Sequence, residues 1–424
     1  MKINIRKPIM VVLSAVLAVS GLSAAAAAGN DATASGQPYR IVALGDSITV
    51  GYEPKMDLKS VPYGYVDRLY DQALFHGRSE LANYGIMGLT TSGLTNLLQG
   101  AADGKPLQSA DLQDFSSFLP DVAQQADTVA KQTRQLSSDL AQANLVVMTI
   151  GANDFGGIIK AAKDQPTESA RKIIQDTSAE TMNKYTEDLD KVMSQLHKLA
   201  PEAQIVLADQ YLPLMKTHEL YKDLWLVAQT LSTSLDTFAT TENNKGIPVK
   251  IVHVSALFEG KQSSYTHFNL MEEFDTHPTQ AGYEVIAKAF ADTVWKDYRK
   301  LAPRETNVPL SIVINGKEPS NKPTVKNNTT FLALTDVAEA VGAKVQWIQK
   351  TKTAVFSKDG KEVVIQVGAK SIVVNGTTQP LTTPAYFQQV GKTQKTYVPL
   401  AVISAGLDYQ VVFRKNLLAA FINS

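Results

Sequence analysis

The strongest constraint on this chain is an alternation that runs from residue 39 to about residue 301. Short apolar runs, "YRIVAL", "ELANY", "NLVVMTI", "AQIVLA" and "VKIVHV", are separated by longer stretches with helical spacing, such as residues 121–143 and 178–200. Apolar runs set between amphipathic helices read as buried parallel strands. The segment therefore predicts an α/β fold, a mostly parallel sheet with helices on both faces. In such folds ligands bind beyond the carboxyl ends of the strands, so the residues just after each run are where chemistry is expected.

The last helix of this region, from about Thr279 to Leu301, carries Tyr283, Ile286, Ala287, Phe290 and Val294 on one face, and "KLAPRETNVP" ends it. Beyond residue 305 the texture becomes strand-rich and repeats itself. "SIVINGKEP" at 311 recurs as "SIVVNGTTQP" at 371, and "TFLALTDVAEAVGAKVQW" at 330 recurs as "TYVPLAVISAGLDYQVVF" at 396. Two copies of a hairpin, helix and hairpin unit are expected, a smaller α+β domain. The pairs Asn315-Gly316 and Asn375-Gly376 suit hairpin turns that need positive φ.

At the amino end, Lys2, Arg6 and Lys7 precede "PIMVVLSAVLAVSGL" and then "SAAAAAG". A basic head, an apolar stretch and small residues read as an export signal, with an uncleaved anchor as the other reading. The domain layout is thus a signal peptide over 1–28, a linker over 29–38, a first domain over 39–301, a linker over 302–310 and a second domain over 311–424. A secreted or cell-surface bacterial protein is the expectation. Lys plus Arg equals Asp plus Glu at 41 each, so no net field favours nucleic acid. Cysteine is absent, which removes thiolate catalysis and cysteine-based metal sites. No H-E-x-x-H pattern is present, and no metal or other cofactor is called for.

Four stretches hold the residues suited to chemistry. Gly45-Asp46-Ser47 follows the first run, and Ser47 is either a nucleophile facing the cleft or a helix cap. "NYGIMGLTTSG", from Asn83, offers Gly88 as an N–H unshielded by a side chain, with Gly85 competing for that role or a plain glycine turn as the alternative. "IGANDF", from Ile150, ends the third run. Asn153 there is able to present a side-chain NH₂ and Asp154 to brace the loop, unless both merely form an Asn-Asp turn. Finally, "EEFDTHPTQAGY" places His277 on a loop before the last helix, beside Pro278 and just after carboxylates. His277 stands out among six histidines: His197 and His218 fall in polar helical contexts and His253 in a strand.

A serine hydroxyl becomes a useful nucleophile when an imidazole takes its proton, and acyl transfer also needs N–H donors for the oxyanion. Ser47, His277 and the candidate donors make up such a set. The G-x-S-x-G elbow of the larger lipases is absent.

"GDSIT", "NYGIMG", "GAND" and "DTHP", in this order and these places, resemble the four blocks of the GDSL or SGNH hydrolase family over roughly residues 39–300. The resemblance implies a flavodoxin-like three-layer α/β/α fold and hydrolysis of acyl esters or thioesters. It implies Ser47 as nucleophile, His277 as base, and an oxyanion hole made by the Ser47 N–H, Gly88 and Asn153; Asp46 and Asp154 are taken as supporting residues. One departure bears on the acid. The family pattern places it three residues before the histidine, where this chain has Phe274; the nearest carboxylate is Asp275. Asp275 is taken as the acid, with Glu272, Glu273 or a backbone carbonyl as the alternatives.

Residues 305–424 resemble the copper amine oxidase N-terminal-like domain appended to exported proteins of Gram-positive bacteria, through "INGKEP", the stretch at 330 and their second copies. Ala333 departs from the proline seen at Pro399. The stretch holds no His, Cys or Met, so it lacks the side chains that favour copper. A stalk or envelope-binding role is expected of it. The whole reads as a secreted serine esterase, lipase-like or lysophospholipase-like, acting on an acyl ester of a lipid or of an acetylated polysaccharide. An inactive envelope-binding protein and an acyltransferase sharing the acyl-enzyme are the alternatives.

Overall fold

The computed structural model describes residues 36–424 apart from Lys163 and residues 269–273. The expected signal segment 1–28 and residues 29–35 of the first linker lie outside the described residues, as do Glu272 and Glu273.

The five apolar runs form one sheet. Its strands are Tyr39–Gly45 (β1), Ser79–Gly85 (β2), Leu145–Thr149 (β3), Gln204–Ala208 (β4) and Val249–Val252 (β5). They are parallel throughout, in the order β2-β1-β3-β4-β5. This is the flavodoxin-like arrangement, and its strand order reverses between β1 and β3. Side chains alternate across the pleat. Val42, Leu44, Val146 and Met148 face a core with helices Thr91–Ala102 and Thr167–Leu199, while Ile41, Ala43, Leu145 and Val147 face Tyr65, Leu69, Ile286 and Phe290 of helices Tyr65–His76 and Gln280–Trp295. Three layers result. No helix among the described residues is long and apolar enough to cross a membrane.

Helix boundaries depart from the sequence pattern where loops capture backbone groups. The stretch 121–143 divides into Pro120–Ala130 and Thr133–Leu140. The Ala130 carbonyl, which a continuous helix would use internally, accepts the Leu107 N–H, and the Thr133 hydroxyl donates to the Lys105 carbonyl. The final helix stops at Trp295 rather than Leu301, because Lys296 turns left-handed at φ 59°. The chain after it is a strap whose Arg299 guanidinium donates to the carbonyls of Phe75 and Gly316.

The second domain is mostly strand, with two short helices. Its two copies meet at Phe331–Ala333 and Tyr397–Pro399, which pair antiparallel about Leu332 and Val398. Those two residues are equivalent in the repeat, so the copies are related by a local two-fold through this pair. The Asn-Gly turns have positive φ at both positions, 47° and 76° in the first copy and 50° and 82° in the second.

This domain packs firmly on the first. The carboxyl-terminal strand Ala419–Asn423 pairs in parallel with Ser311–Ile314, just after the linker, and sets Phe421 edge-on to Phe75 with ring centres 5.0 Å apart. Asn423 donates to the carbonyls of Leu74 and Gly77, closing the end of helix Tyr65–His76. Gln410 exchanges two hydrogen bonds with the Ser79 backbone at the edge strand β2. Arg414 forms an ion pair with the buried Asp71.

Candidate active site

β1 ends in Gly45, at φ 129°, where a Cβ would lie 2.0 Å from the Thr149 carbonyl oxygen. Only glycine allows the neighbouring strand so close. The chain then turns into a single helical turn, Ser47–Val50, and the residue that caps it is Asp46: Oδ1 accepts the Ile48 N–H at 3.0 Å. Ser47 is therefore free of the capping role and opens the turn at the carboxyl end of β1, beside the strand-order reversal.

His277 reaches this point from the far end of the domain. Its Nε2 lies 2.8 Å from Ser47 Oγ, and its Nδ1 lies 2.8 Å from Asp275 Oδ1. The same Asp275 oxygen accepts the His277 backbone N–H at 2.8 Å. Burial works to raise the Asp275 carboxyl, but the hydrogen bonds and charge of His277 outweigh it and hold the group below its ordinary range. His277 lies not on the expected loop but in a short strand, Phe274–Pro278, which pairs antiparallel with Thr266–Phe268 and so holds its backbone extended. The pair is fixed there: Tyr211 donates to the Thr276 carbonyl, and the Tyr52 ring stands edge-on to His277 at 4.7 Å between centres. Tyr283, on the last helix, donates to the Tyr52 carbonyl and holds that ring in place.

The segment after β2 supplies the next element. Gly85 is taken up by packing, because its N–H donates to Asn83 Oδ1 and a Cβ there would meet the Val50 nitrogen at 2.7 Å. Gly88, at φ 76°, differs: among the described residues no protein acceptor takes its N–H, and the same holds for Ser47. Two glutamines shape this loop. Gln125 bonds Met87 N and the Gly85 carbonyl, and Gln113 bonds the Gly88 carbonyl and Thr90 N. Asn153, beyond β3, donates through Nδ2 to the Leu89 carbonyl at 2.9 Å, so its amide sits beside the same loop with a second N–H to offer. The Asp154 carboxylate accepts the N–H and hydroxyl of Thr91, tying the Asn153 loop to the start of helix Thr91–Ala102. Burial pushes the Asp154 carboxyl up.

Behind Ser47 lies a buried chain of hydroxyls. Tyr65 lies 3.2 Å from Thr49 Oγ1, Thr49 lies 2.6 Å from Thr149 Oγ1, and Thr149 donates to Asp46 Oδ1. The other Asp46 oxygen is buried without a hydrogen-bond partner. Burial pushes this carboxyl up to about 7, against the bonds from Ile48 and Thr149 and the nearby His277 charge. Gln113, Gln125, Thr49 and Thr149 are of types that carry no signal of their own in the sequence. Nor does the sequence signal the contact between His267 Nε2 and Glu53 Oε1 at the rim. Each is defined only by a neighbour that the fold brings up.

The arrangement joins a hydroxyl, an imidazole and a carboxylate in line, with N–H groups of Ser47, Gly88 and Asn153 on the adjoining loops. Chemically it is suited to acyl transfer through serine.

Residues 43–285 match the GDSL-like Lipase/Acylhydrolase family and residues 313–417 match the copper amine oxidase N-terminal domain. The chain is 24% identical over 164 residues to the uncharacterized protein YpmR of Bacillus subtilis (strain 168), a match covering 39% of this chain and 59% of that protein's length. Among solved structures, a phospholipase A1 from Streptomyces albidoflavus NA297 aligns at 19% identity and TM-score 0.43, over 60% of this chain and 99% of that one. An extracellular lipase from Streptomyces rimosus aligns at 17% identity and TM-score 0.41, again over 60% and 99%. With the family match extending over more than half of its residues, the chain belongs to the GDSL-like lipase/acylhydrolase family and carries a copper amine oxidase N-terminal domain after the hydrolase domain.

Proposed function

We propose that the protein is an exported serine hydrolase that cleaves acyl esters of a lipid or of an acetylated polysaccharide by way of an acyl-enzyme. The observation that carries this reading is the unbroken line Asp275–His277–Ser47, with both contacts at 2.8 Å. His277 Nε2 takes the Ser47 proton as Oγ attacks the acyl carbonyl. The oxyanion is held by the N–H of Ser47, the N–H of Gly88 and the Asn153 amide. His277 then passes the proton to the departing alkoxide, and in the second half of the cycle it deprotonates the water that releases the acid. Asp275 accepts from Nδ1 throughout, fixing the tautomer and stabilising the imidazolium. The basic, apolar and small-residue order of the first 28 residues supports export, and the second domain is assigned to envelope attachment.

The test is hydrolysis of p-nitrophenyl esters from acetyl to palmitoyl by the full mature chain. The reading expects turnover of at least one ester that Ser47→Ala and His277→Ala each abolish. Turnover unaffected by Ser47→Ala would contradict it, and a folded wild type silent on every ester would favour a binding role.

A further inference from the structure

The ring of Phe118 occupies the space beside Gly88 where any other residue would carry its side chain. A Cβ built at Gly88 would lie 2.6 Å from Phe118 Cε1 and 2.7 Å from Cζ. The aromatic edge is therefore in contact with the Gly88 backbone, whose N–H no acceptor among the described residues takes. Phe118 is 38% exposed, whereas its neighbour Phe115, 5.8 Å away between ring centres, is 6% exposed and part of the core. A large aromatic ring held partly out of the core offers apolar surface beside the Gly88 loop.

The loop bearing this ring is fixed relative to the site. Gln113 ties the start of the loop to the Gly88 carbonyl and to Thr90, and Phe118 N donates to the Phe115 carbonyl. Pro120 then begins the next helix. The direction from which the ring approaches is also set. Phe115 and Leu89 belong to the core on the Thr91–Ala102 side of the sheet, while Tyr211 and Tyr283, which bond the carbonyls of Thr276 and Tyr52 beside His277, pack on the opposite side.

That opposition assigns the two halves of a substrate. In the tetrahedral intermediate the leaving oxygen must lie at His277 Nε2 to take its proton, and the oxyanion must lie at the N–H donors. The acyl chain takes the remaining bond, directed away from His277 and across Gly88. We propose that Phe118 is a specificity-determining residue of the acyl subsite, selecting linear acyl chains whose methylenes lie on its ring over acetyl. This rests on the serine-hydrolase reading of the site and narrows it to a fatty-acyl ester.

The experiment compares acetyl and octanoyl p-nitrophenyl esters with wild type, Phe118→Ala and Phe118→Leu, all checked for an unchanged circular dichroism spectrum and melting temperature. Phe118→Ala is expected to lower kcat/KM for the octanoyl ester about tenfold while the acetyl value stays within about twofold, with Phe118→Leu between. Equal losses on both esters, or no loss on either, would overturn the assignment. Titration calorimetry of octanoate into Ser47→Ala, with and without Phe118→Ala, reads the same subsite without turnover. Weakening of octanoate binding by about tenfold is expected, and its absence, or no binding to Ser47→Ala at all, counts against the subsite. A wild type without esterase activity instead counts against the hydrolase reading alone.

Discussion

Asp275 Oδ1 accepts two hydrogen bonds from His277, one from the backbone N–H and one from Nδ1, each at 2.8 Å. A carboxylate only two residues before the histidine shares its face of the short strand Phe274–Pro278, and so reaches both the histidine's backbone N–H and its ring. The shorter spacing is thereby accommodated by local geometry. Replacing Asp275 by Ala removes both bonds, and kcat is expected to fall on the order of 10⁴-fold with KM changed little. Steady-state kinetics on the best ester check this. A fall below about tenfold would assign the ring's support to another group.

Asn153 is expected to act through its amide alone. Asn153→Ala leaves the Ser47, His277 and Asp275 line intact and should lower kcat by about 10²- to 10³-fold. Unfolding stability should fall only by the loss of one hydrogen bond to the Leu89 carbonyl, about 1 kcal/mol. A near-neutral kcat in the same assay would remove Asn153 from the oxyanion hole.

Asp46 gives the molecule a pH signature. Its carboxyl is buried and pushed up to about 7, above the unfolded value, so the folded state binds a proton that the unfolded chain releases. The associated stability is fully present below about pH 4 and is lost as pH rises to about 7. Asp46→Asn keeps an acceptor for Ile48 N and Thr149 but cannot ionise. Measured by denaturant unfolding, the wild type should lose stability relative to Asp46→Asn between these pH values, by on the order of 4 kcal/mol as an upper figure. A difference that does not change with pH would show that Asp46 stays ionised.

The contact between the domains is expected to be structural as well as connective. Asp71 is 2% exposed, and burial pushes its carboxyl up to about 6 against the Arg414 charge beside it. Arg414→Met strands that carboxylate and should destabilise the chain by about 3–5 kcal/mol at pH 8, less at pH 5 where Asp71 takes up a proton. Asp71→Asn combined with Arg414→Met should recover most of the loss. Calorimetry of the full chain measures both, and additive losses would show that the pair is not coupled.

The parallel sheet was legible because each of its strands is an apolar run short enough to exclude a buried helix, as in "NLVVMTI". Ser47, Gly88, Asn153 and His277 were legible as candidates for a different reason: their types are chemically distinctive, and the first three follow strand ends while His277 precedes the last helix. Their meeting was not, since 230 residues separate Ser47 from His277 and only the fold closes that distance. Helix ends at Ala130 and Trp295 were hidden because loop residues such as Leu107 and a left-handed Lys296 decide them, and neither changes the hydrophobic pattern. Gln113, Gln125 and Phe118 were silent in the sequence. A glutamine becomes a clamp, and a phenylalanine a subsite wall, only when a particular backbone lies against it.

The central claim is that Ser47 is the nucleophile activated by His277. Treatment of the full chain with a fluorophosphonate ester, followed by peptide mass spectrometry, tests it most directly. One adduct is expected, on Ser47, formed at a rate that His277→Ala lowers by several orders of magnitude. An adduct on another serine, or labelling of Ser47 at an unchanged rate without His277, would contradict it.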